Sequence, residues 1–519
     1  MLSADAGPDA VALKADDLEL RYGDLAASIG RFAGGLARLA IQRSNRVAIY
    51  LDKRFEFVIA CFGASAAGAV FVPVNPLLKP EQVCHILRDC NASMLITSDE
   101  RYRLLREALA DCPELRHVAL VGSGSEASDG HFDVHQWESL LQERSHVASK
   151  PIDVDMVAIL YTSGSTGRPK GVVLSHRNMV TGAKSVAHYL ENAWSDVLLA
   201  ALPFSFDAGF SQLTTAFHVG ARVVLLNYLL AADVVKAVAR ECVTGLTAVP
   251  PLWIQLSRIK WPEAATRHLR YFANTGGRMP LETLNSLRRI LPRAKPYLMY
   301  GLTEAFRSTY LPPEEVDRRP DSIGKAIPNA EILVLRTDGT SCAPNEPGEL
   351  VHRGALVGMG YWNDAEKTAE RYRPLPGRER GLVLPEIAVF SGDTVRMDEE
   401  GFLYFIGRRD EMIKTSGYRV SPTEVEEIVY ATKRVSECAA FGVSHPSLGQ
   451  AIVVAATALD GTTLDVEALL TECKTRMPAY MVPAHVVVQA GPLPRNPNGK
   501  IDRTTLASEH AAVLENRSI

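Results

Sequence analysis

The chain has 519 residues, 47% of them hydrophobic and 22% charged, with a formal net charge of −4. That length exceeds one ordinary hydrophobic core, so at least two domains are expected, and the weak negative charge excludes a general nucleic-acid binder. The eight cysteines, at 61, 84, 90, 112, 242, 342, 438 and 473, include no C-x-x-C pair. That spacing excludes a disulfide framework or a thiolate zinc site and points to a reducing, cytoplasmic setting.

Taken in chain order, the opening MLSADAGPDAVALKADD is acidic and lacks an apolar centre, which predicts no signal peptide. Residues 57–74 are the one long apolar run. Small residues and Pro73 interrupt it, so it reads as a buried helix feeding a buried strand, with no membrane span. Runs rich in β-formers at 46–50, 70–74, 94–97, 197–202 and 222–226 alternate with helical patterns at 80–89 and 231–240. Such alternation predicts an α/β fold of layered, mostly parallel sheets with helices. The Gly/Ser-rich stretch 123–130 reads as a surface loop.

The texture changes after Gly401. A strand at 402–406 leads into the charged stretch 407–411, followed by helix 422–430, strands 438–443 and 452–457, helix 465–476 and strand 484–488. The expected organisation is a large N-terminal domain over 1–407, a hinge over 408–411 and a small, mobile α+β C-terminal domain over 412–519.

The strongest chemical signal is Tyr161-Thr-Ser-Gly-Ser-Thr-Gly-Arg-Pro-Lys-Gly171, entered from an apolar strand at 156–160. Gly164, Gly167 and Gly171 permit tight turns and close backbone approach. Thr162, Ser163, Ser165 and Thr166 add hydroxyl donors, and Lys170 adds positive charge. Together these can cradle a polyphosphate. A plain Gly/Ser linker would not need Pro-Lys-Gly at one end. A Walker-A loop counted from Gly164 fails twice, with Pro169 where a glycine is required and Gly171 where a Ser or Thr is required.

In this loop and in further motifs, from Tyr22-Gly-Asp-Leu to Pro497-Asn-Gly-Lys-Ile-Asp-Arg503, the chain resembles the adenylate-forming superfamily of acyl-CoA synthetases, peptide-synthetase adenylation domains and luciferases. Within it, Ala248–Gln255, Met299–Tyr310 and Asp410–Arg419 are similar to AMP-forming acyl ligases associated with exosortase A systems.

The resemblance implies a role for each motif. In Tyr300-Gly301-Leu-Thr-Glu304, Thr303 would bond the α-phosphate and Glu304 would help hold Mg²⁺, a cation that favours a few carboxylates plus phosphate oxygens. In Asn274-Thr-Gly-Gly-Arg-Met-Pro280, Gly276 and Gly277 would pack near the adenine, with no role set for Arg278. Asp393, in Ser391-Gly-Asp-Thr394, would bind the ribose hydroxyls as a two-oxygen acceptor. Arg408 would contact ribose or phosphate, and Asp410 would be the pivot about which the small domain turns. Lys500 would be the catalytic lysine, bridging the attacking carboxylate and the α-phosphate. Lys414 and Gly417 would border a tunnel for a pantetheine thiol.

The implied function is an AMP-forming carboxylate ligase. ATP and an acid give acyl-AMP and pyrophosphate, and the acyl group then passes to CoA or to a carrier-protein phosphopantetheine. Phe206, Asp207, Pro250 and Trp253 are the candidate substrate-binding residues. In Leu202-Pro-Phe-Ser-Phe-Asp-Ala208, Asp207 matches the aspartate that binds the substrate ammonium in amino-acid adenylating relatives. The alternatives are therefore a free-standing amino-acid adenylation enzyme loading a carrier protein, with Asp207 otherwise a helix N-cap, an adenylate-dependent oxidase, and a non-catalytic binding protein of the same fold.

Overall fold

The computed structural model describes residues 7–122, 131–142, 150–162, 169–376, 384–408, 411–415, 418–445, 448–459, 461–497 and 499–511. The expected surface loop at 123–130 lies outside them.

Two sheets dominate the first 408 residues. In the first, Arg46–Tyr50, Val70–Pro73, Ala92–Ser98, His117–Val121, Asp133–Gln136 and Met156–Thr162 run parallel, and Lys170–Ser175 closes back antiparallel on Met156–Thr162. In the second, Val197–Ala200, Arg222–Leu225, Gly245–Ala248, Tyr271–Asn274 and Lys295–Tyr300 form the parallel half. Most residues of these strands are buried on both faces, the pattern expected of parallel sheets, although Thr247 and Asn274 interrupt the apolar runs. The helices Pro80–Asp89 and Ala231–Arg240 fall where the sequence predicted them.

The apolar run 57–74 folds as helix Phe55–Ala66 and strand Val70–Pro73, both deep in the core. Among the described residues no helix is long and apolar enough to cross a membrane. All eight cysteines are free.

One part departs from the expected parallel layering. The strands between Thr309 and Arg408 pair antiparallel, and the short helix Ala365–Arg371 lies in the long connection between Gly348–Gly354 and Ile387–Met397. Two of these strands approach very closely. Gly324 has φ +82°, and a Cβ there would lie 1.8 Å from the Tyr310 carbonyl oxygen.

From Ile413 onward the chain builds a separate five-stranded sheet, in which Gly449–Ala458 pairs with Val435–His445 and His485–Gln489. The helices Pro422–Ala431 and Val466–Arg476 contribute to its own apolar cluster around Val425, Val454 and Leu469.

Candidate active site

The two strands that flank the Gly-rich loop pair antiparallel. Thr162 pairs with Lys170 across Met156–Thr162 and Lys170–Ser175, so both ends of the loop are held by a sheet. Ser163, Gly164, Ser165, Thr166 and Gly167 lie outside the described residues. Lys170 stands over the ring of Tyr361, with Nζ 5.7 Å from the centroid. The Tyr361 hydroxyl donates to Glu304 Oε1 at 2.6 Å, which leaves the second carboxylate oxygen available to a cation. Sequence reading missed Tyr361. It lies 57 residues beyond Glu304, and no local pattern links them.

Thr303 and Glu304 open a short 3₁₀ turn directly after strand Lys295–Tyr300. The turn ends at Phe306, which is fully buried with φ 55° and ψ −42°. For a bulky side chain this is an outlier conformation, held only because the surroundings dictate it. The packing is visible at Gly182, where a Cβ would come within 2.4 Å of the Phe306 ring.

On strand Ile387–Met397, Asp393 is buried and engaged at both oxygens. Tyr300 Oη donates to Oδ2, and Arg408 Nε donates to Oδ1 at 3.0 Å. Burial first, then the Asp393 charge, pushes the Tyr300 hydroxyl well above its ordinary range, so it stays a donor. Asp393 and Arg408 face each other because they are register partners on adjacent strands.

The second unit closes over this site. Arg495 and Ile501 form an antiparallel bridge, Gly499 turns with φ +80°, and the Lys500 amide donates to Asn496 Oδ1 at 3.0 Å. This turn places Lys500 Nζ 5.6 Å from the Phe206 ring centroid, and a Cβ at Gly276 would lie 3.3 Å from Lys500 Cε. Burial pulls the Lys500 ammonium below its ordinary range, with Asp207 opposing that shift, and Asp393 and Arg408 are also within electrostatic range.

Contacts along the seam hold this arrangement. Asn75 Nδ2 donates to the Pro497 carbonyl at 2.7 Å, and Arg258 Nη2 donates to the Ser436 carbonyl at 2.8 Å. Arg278 Nε lies 3.2 Å from Glu427, and Lys433 Nζ lies 3.3 Å from Glu282. Arg278, with no role set from sequence, therefore spans the two units.

Asp207 is not a helix N-cap. Phe206 holds that position without a side-chain cap, and Asp207 is the first residue of helix Asp207–Val219. Its Oδ1 accepts from the Ala208 amide at 2.8 Å, and it is 4% exposed. Burial pushes its carboxyl up, while Arg307 and Lys500 pull it back down. Gly209 lets this helix start against the preceding turn, since a Cβ there would collide with the Pro203 carbonyl at 1.8 Å.

Pro250 opens helix Pro250–Leu256 against Gly277, where a Cβ would sit 3.3 Å from Pro250 Cγ. Trp253 does not line the site. It is fully buried in the core, with its indole N–H directed to the carbonyls of Ala248 at 3.1 Å and Ala273 at 3.3 Å. A narrow cavity runs beside Asp207, lined by Ala208, Ser211, Gln212, Thr215, Met299 and Arg307. Asp410, Gly417 and the side chain of Lys414 lie outside the described residues.

Two α/β units, with a lysine of the smaller one set against Phe206 and Gly276 of the larger and an Asp393–Arg408 pair nearby, fit an enzyme that adenylates carboxylates. The chain belongs to the AMP-binding enzyme family, whose model matches residues 2–362, and the AMP-binding enzyme C-terminal domain matches residues 424–500. It is an AMP-forming acid–thiol ligase.

An L-proline–[L-prolyl-carrier protein] ligase of Streptomyces coelicolor is 32% identical, over 93% of this chain and 91% of that protein. A long-chain-fatty-acid–CoA ligase of Salmonella typhimurium is 28% identical, over 92% of this chain and 88% of its own length. The chain is also 28% identical to a linear gramicidin synthase of Brevibacillus parabrevis, but spans only 6% of that protein. Among solved structures, o-succinylbenzoate CoA synthetase of Bacillus subtilis with ATP and magnesium is 26% identical, with TM-score 0.80 over 96% of this chain and 97% of that one.

Proposed function

We propose that the enzyme joins a small carboxylic acid to ATP, releases pyrophosphate, and passes the acyl group to a pantetheine thiol of CoA or of a carrier protein. The observation that carries this reading is Lys500 lying between Phe206, Gly276 and Asp207, within electrostatic range of Asp393. There the ammonium would neutralise charge as the carboxylate attacks the α-phosphorus in line.

Asp393 and Arg408 would seat the ribose, and Gly276 and Gly277 the adenine. Lys170, Thr162 and the hydroxyl-rich loop would hold the β- and γ-phosphates, with Thr303 on the α-phosphate. The open oxygen of Glu304 fits a hard divalent cation, and Mg²⁺ there would neutralise phosphate charge. Residues 1–407 would form the nucleotide and acyl domain, 408–411 the hinge with Asp410 as pivot, and 412–519 the rotating domain. After adenylation the small domain would turn, withdrawing Lys500 and bringing Lys414 and Gly417 to the thiol path.

ATP–pyrophosphate exchange without added thiol tests the first half of the reaction. Acid-dependent exchange is expected, and its absence across fatty, aryl, hydroxy and amino acids would sink the reading.

A narrower reading, an amino-acid substrate, is favoured by one observation. Asp207 is a buried carboxylate next to Ala208 of the cavity wall, it caps no helix, and among the described residues no cation comes within ion-pair distance of it, although Arg307 and Lys500 act on it through space. A substrate ammonium would satisfy it. Replacing Asp207 with Ala should then penalise an amino acid about ten- to a hundredfold more than its des-amino analogue. Equal penalties would remove this reading.

A further inference from the structure

The cavity beside Asp207 also holds a buried cation, Arg307, which acts on Asp207 through space but lies beyond ion-pair distance of it. Arg307 is 3% exposed. Among the described residues, its one side-chain hydrogen bond runs from Nη1 to Thr275 Oγ1 at a long 3.5 Å, and its Nε has no partner. No carboxylate among them lies within ion-pair distance of the guanidinium. A buried charge of this kind is costly unless it is paired, and a planar guanidinium matches a carboxylate bidentately.

The rest of the cavity is built on the same plan. Ser211 and Thr215, each 2% exposed, contribute hydroxyls to the wall. Gln212 is anchored through Nε2 to the Gly209 carbonyl at 3.2 Å, and its Oε1 is buried without a partner. Leu190, Leu198 and Met299 close the cavity, so it takes a short tail. An apolar acyl chain here would leave Arg307 Nε and Gln212 Oε1 without partners among the described residues, while the Ser211 and Thr215 hydroxyls meet each other at 3.5 Å.

We propose that Arg307 is the specificity residue of this pocket and binds a second carboxylate, carried on the short tail of the substrate acid. The proposal rests on the ligase reading above. Charge counting separates two forms of the substrate. An amino-dicarboxylic acid balances Arg307, Lys500 and an ionised Asp207. A plain dicarboxylic acid balances them only when Asp207 is protonated.

The experiment is pyrophosphate exchange by the full chain with succinate, glutarate, aspartate and glutamate. Each is paired with a neutral-tailed isostere: butyrate, valerate, 2-aminobutyrate and norvaline. At least one diacid should exceed its isostere by about tenfold or more in kcat/KM, the scale of one charge-assisted pair. R307Q should bring that ratio to about one, and R307K should restore part of it. A ratio is unaffected by a general loss of folded enzyme.

The amino and des-amino arms show which form is used. Wild-type preference for the neutral tails, or a ratio that survives R307Q, overturns the proposal. If no acid supports exchange, the ligase reading fails, and thermal shifts with the same acids decide the site. Stabilisation by diacids in wild type but not in R307Q upholds Arg307 as a carboxylate site, and no such difference overturns it.

Discussion

Lys500 enters the site only because of its local turn. Gly499 takes a left-handed conformation, Asn496 caps the Lys500 amide, and the Pro497 carbonyl is held by Asn75 from the other unit. In the proposed reaction its charge would serve a transition state in which a carboxylate and a phosphate approach each other. Lys500→Ala should therefore lower pyrophosphate exchange by about 10²–10³-fold. Thioester formation from supplied acyl-AMP should change little, because the lysine serves only one of the two domain orientations. Equal loss in both half-reactions, measured by single turnover, would contradict that division. At this scale the motifs singled out Lys500, Asp393, Thr303 and Glu304 as candidates, but the side chains these residues touch were not legible. Tyr361 and Arg307 act through space on residues already identified, and neither sits in a pattern that marks its use. Asp207 shows the resolution limit of sequence reading. An N-cap and a first helical residue differ by one position, and only the backbone at Phe206 tells them apart.

Among the elements, the turn from Tyr300 to Arg307 carries the most constraint. Phe306 is held at positive φ by packing against helix His176–Tyr189, where Gly182 leaves room for its ring. A side chain at 182 must displace that ring and with it Thr303, Glu304 and Arg307. Gly182→Val should cost about 1–3 kcal/mol of stability, as over-packing commonly does. It should also raise the KM for ATP. A urea midpoint and KM equal to wild type would show that the turn tolerates a shift. Several elements were legible from sequence: helices 80–89 and 231–240 and the strands at 46–50, 70–74, 94–97, 156–160, 197–202 and 222–226, while the parallel strands His117–Val121, Gly245–Ala248, Tyr271–Asn274 and Lys295–Tyr300 were not picked out. Of the antiparallel strands from Thr309 to Arg408 only the last, expected at 402–406 and found at Leu403–Arg408, was legible; register shifts break the pattern of several others. Trp253 misled for a related reason. Its position beside Pro250 suggested a pocket wall, but its indole N–H points inward to two carbonyls, and the side chain fills the core. The hinge is an element-scale prediction too. Asp410→Pro should slow thioester formation more than adenylation, since a fixed φ allows one backbone state where two are needed. Unchanged thioester formation would place the pivot elsewhere.

Across the whole molecule, two kinds of electrostatic linkage operate, one on folding and one on domain orientation. His352 is fully buried beside Ser308, with Nδ1 3.0 Å from Oγ, and burial pushes its pKa down to about 3 from an ordinary 6.5. Its folded-state pKa is depressed, so the unfolded chain binds a proton that the native state refuses. Stability is then lost as pH falls from 6.5 toward 3. His352→Asn should flatten that slope in denaturant titrations, and an unchanged slope would assign the acid sensitivity to other groups. Domain orientation rests on the seam between the units. Arg278 and Glu427 meet at 3.2 Å, with side chains 31% and 22% exposed, and burial raises the Glu427 carboxyl while Arg278 lowers it. A pair so exposed contributes only about 1 kcal/mol or less. That is negligible against global folding but not against a rotation between two states of similar energy, where about 1 kcal/mol is roughly a fivefold change in population. Arg278→Ala should accordingly slow adenylation by about two- to fivefold, leave the melting temperature nearly unchanged, and leave thioester formation from acyl-AMP unaffected or faster. Glu427→Gln should reproduce this, and the double variant should be no worse than either single one, because both remove the same contact. Raising the salt concentration should weaken the wild type toward the variants. Additive losses in the double variant, or equal slowing of both half-reactions, would mean that Arg278 acts on the nucleotide and not on the orientation of the lysine-bearing unit.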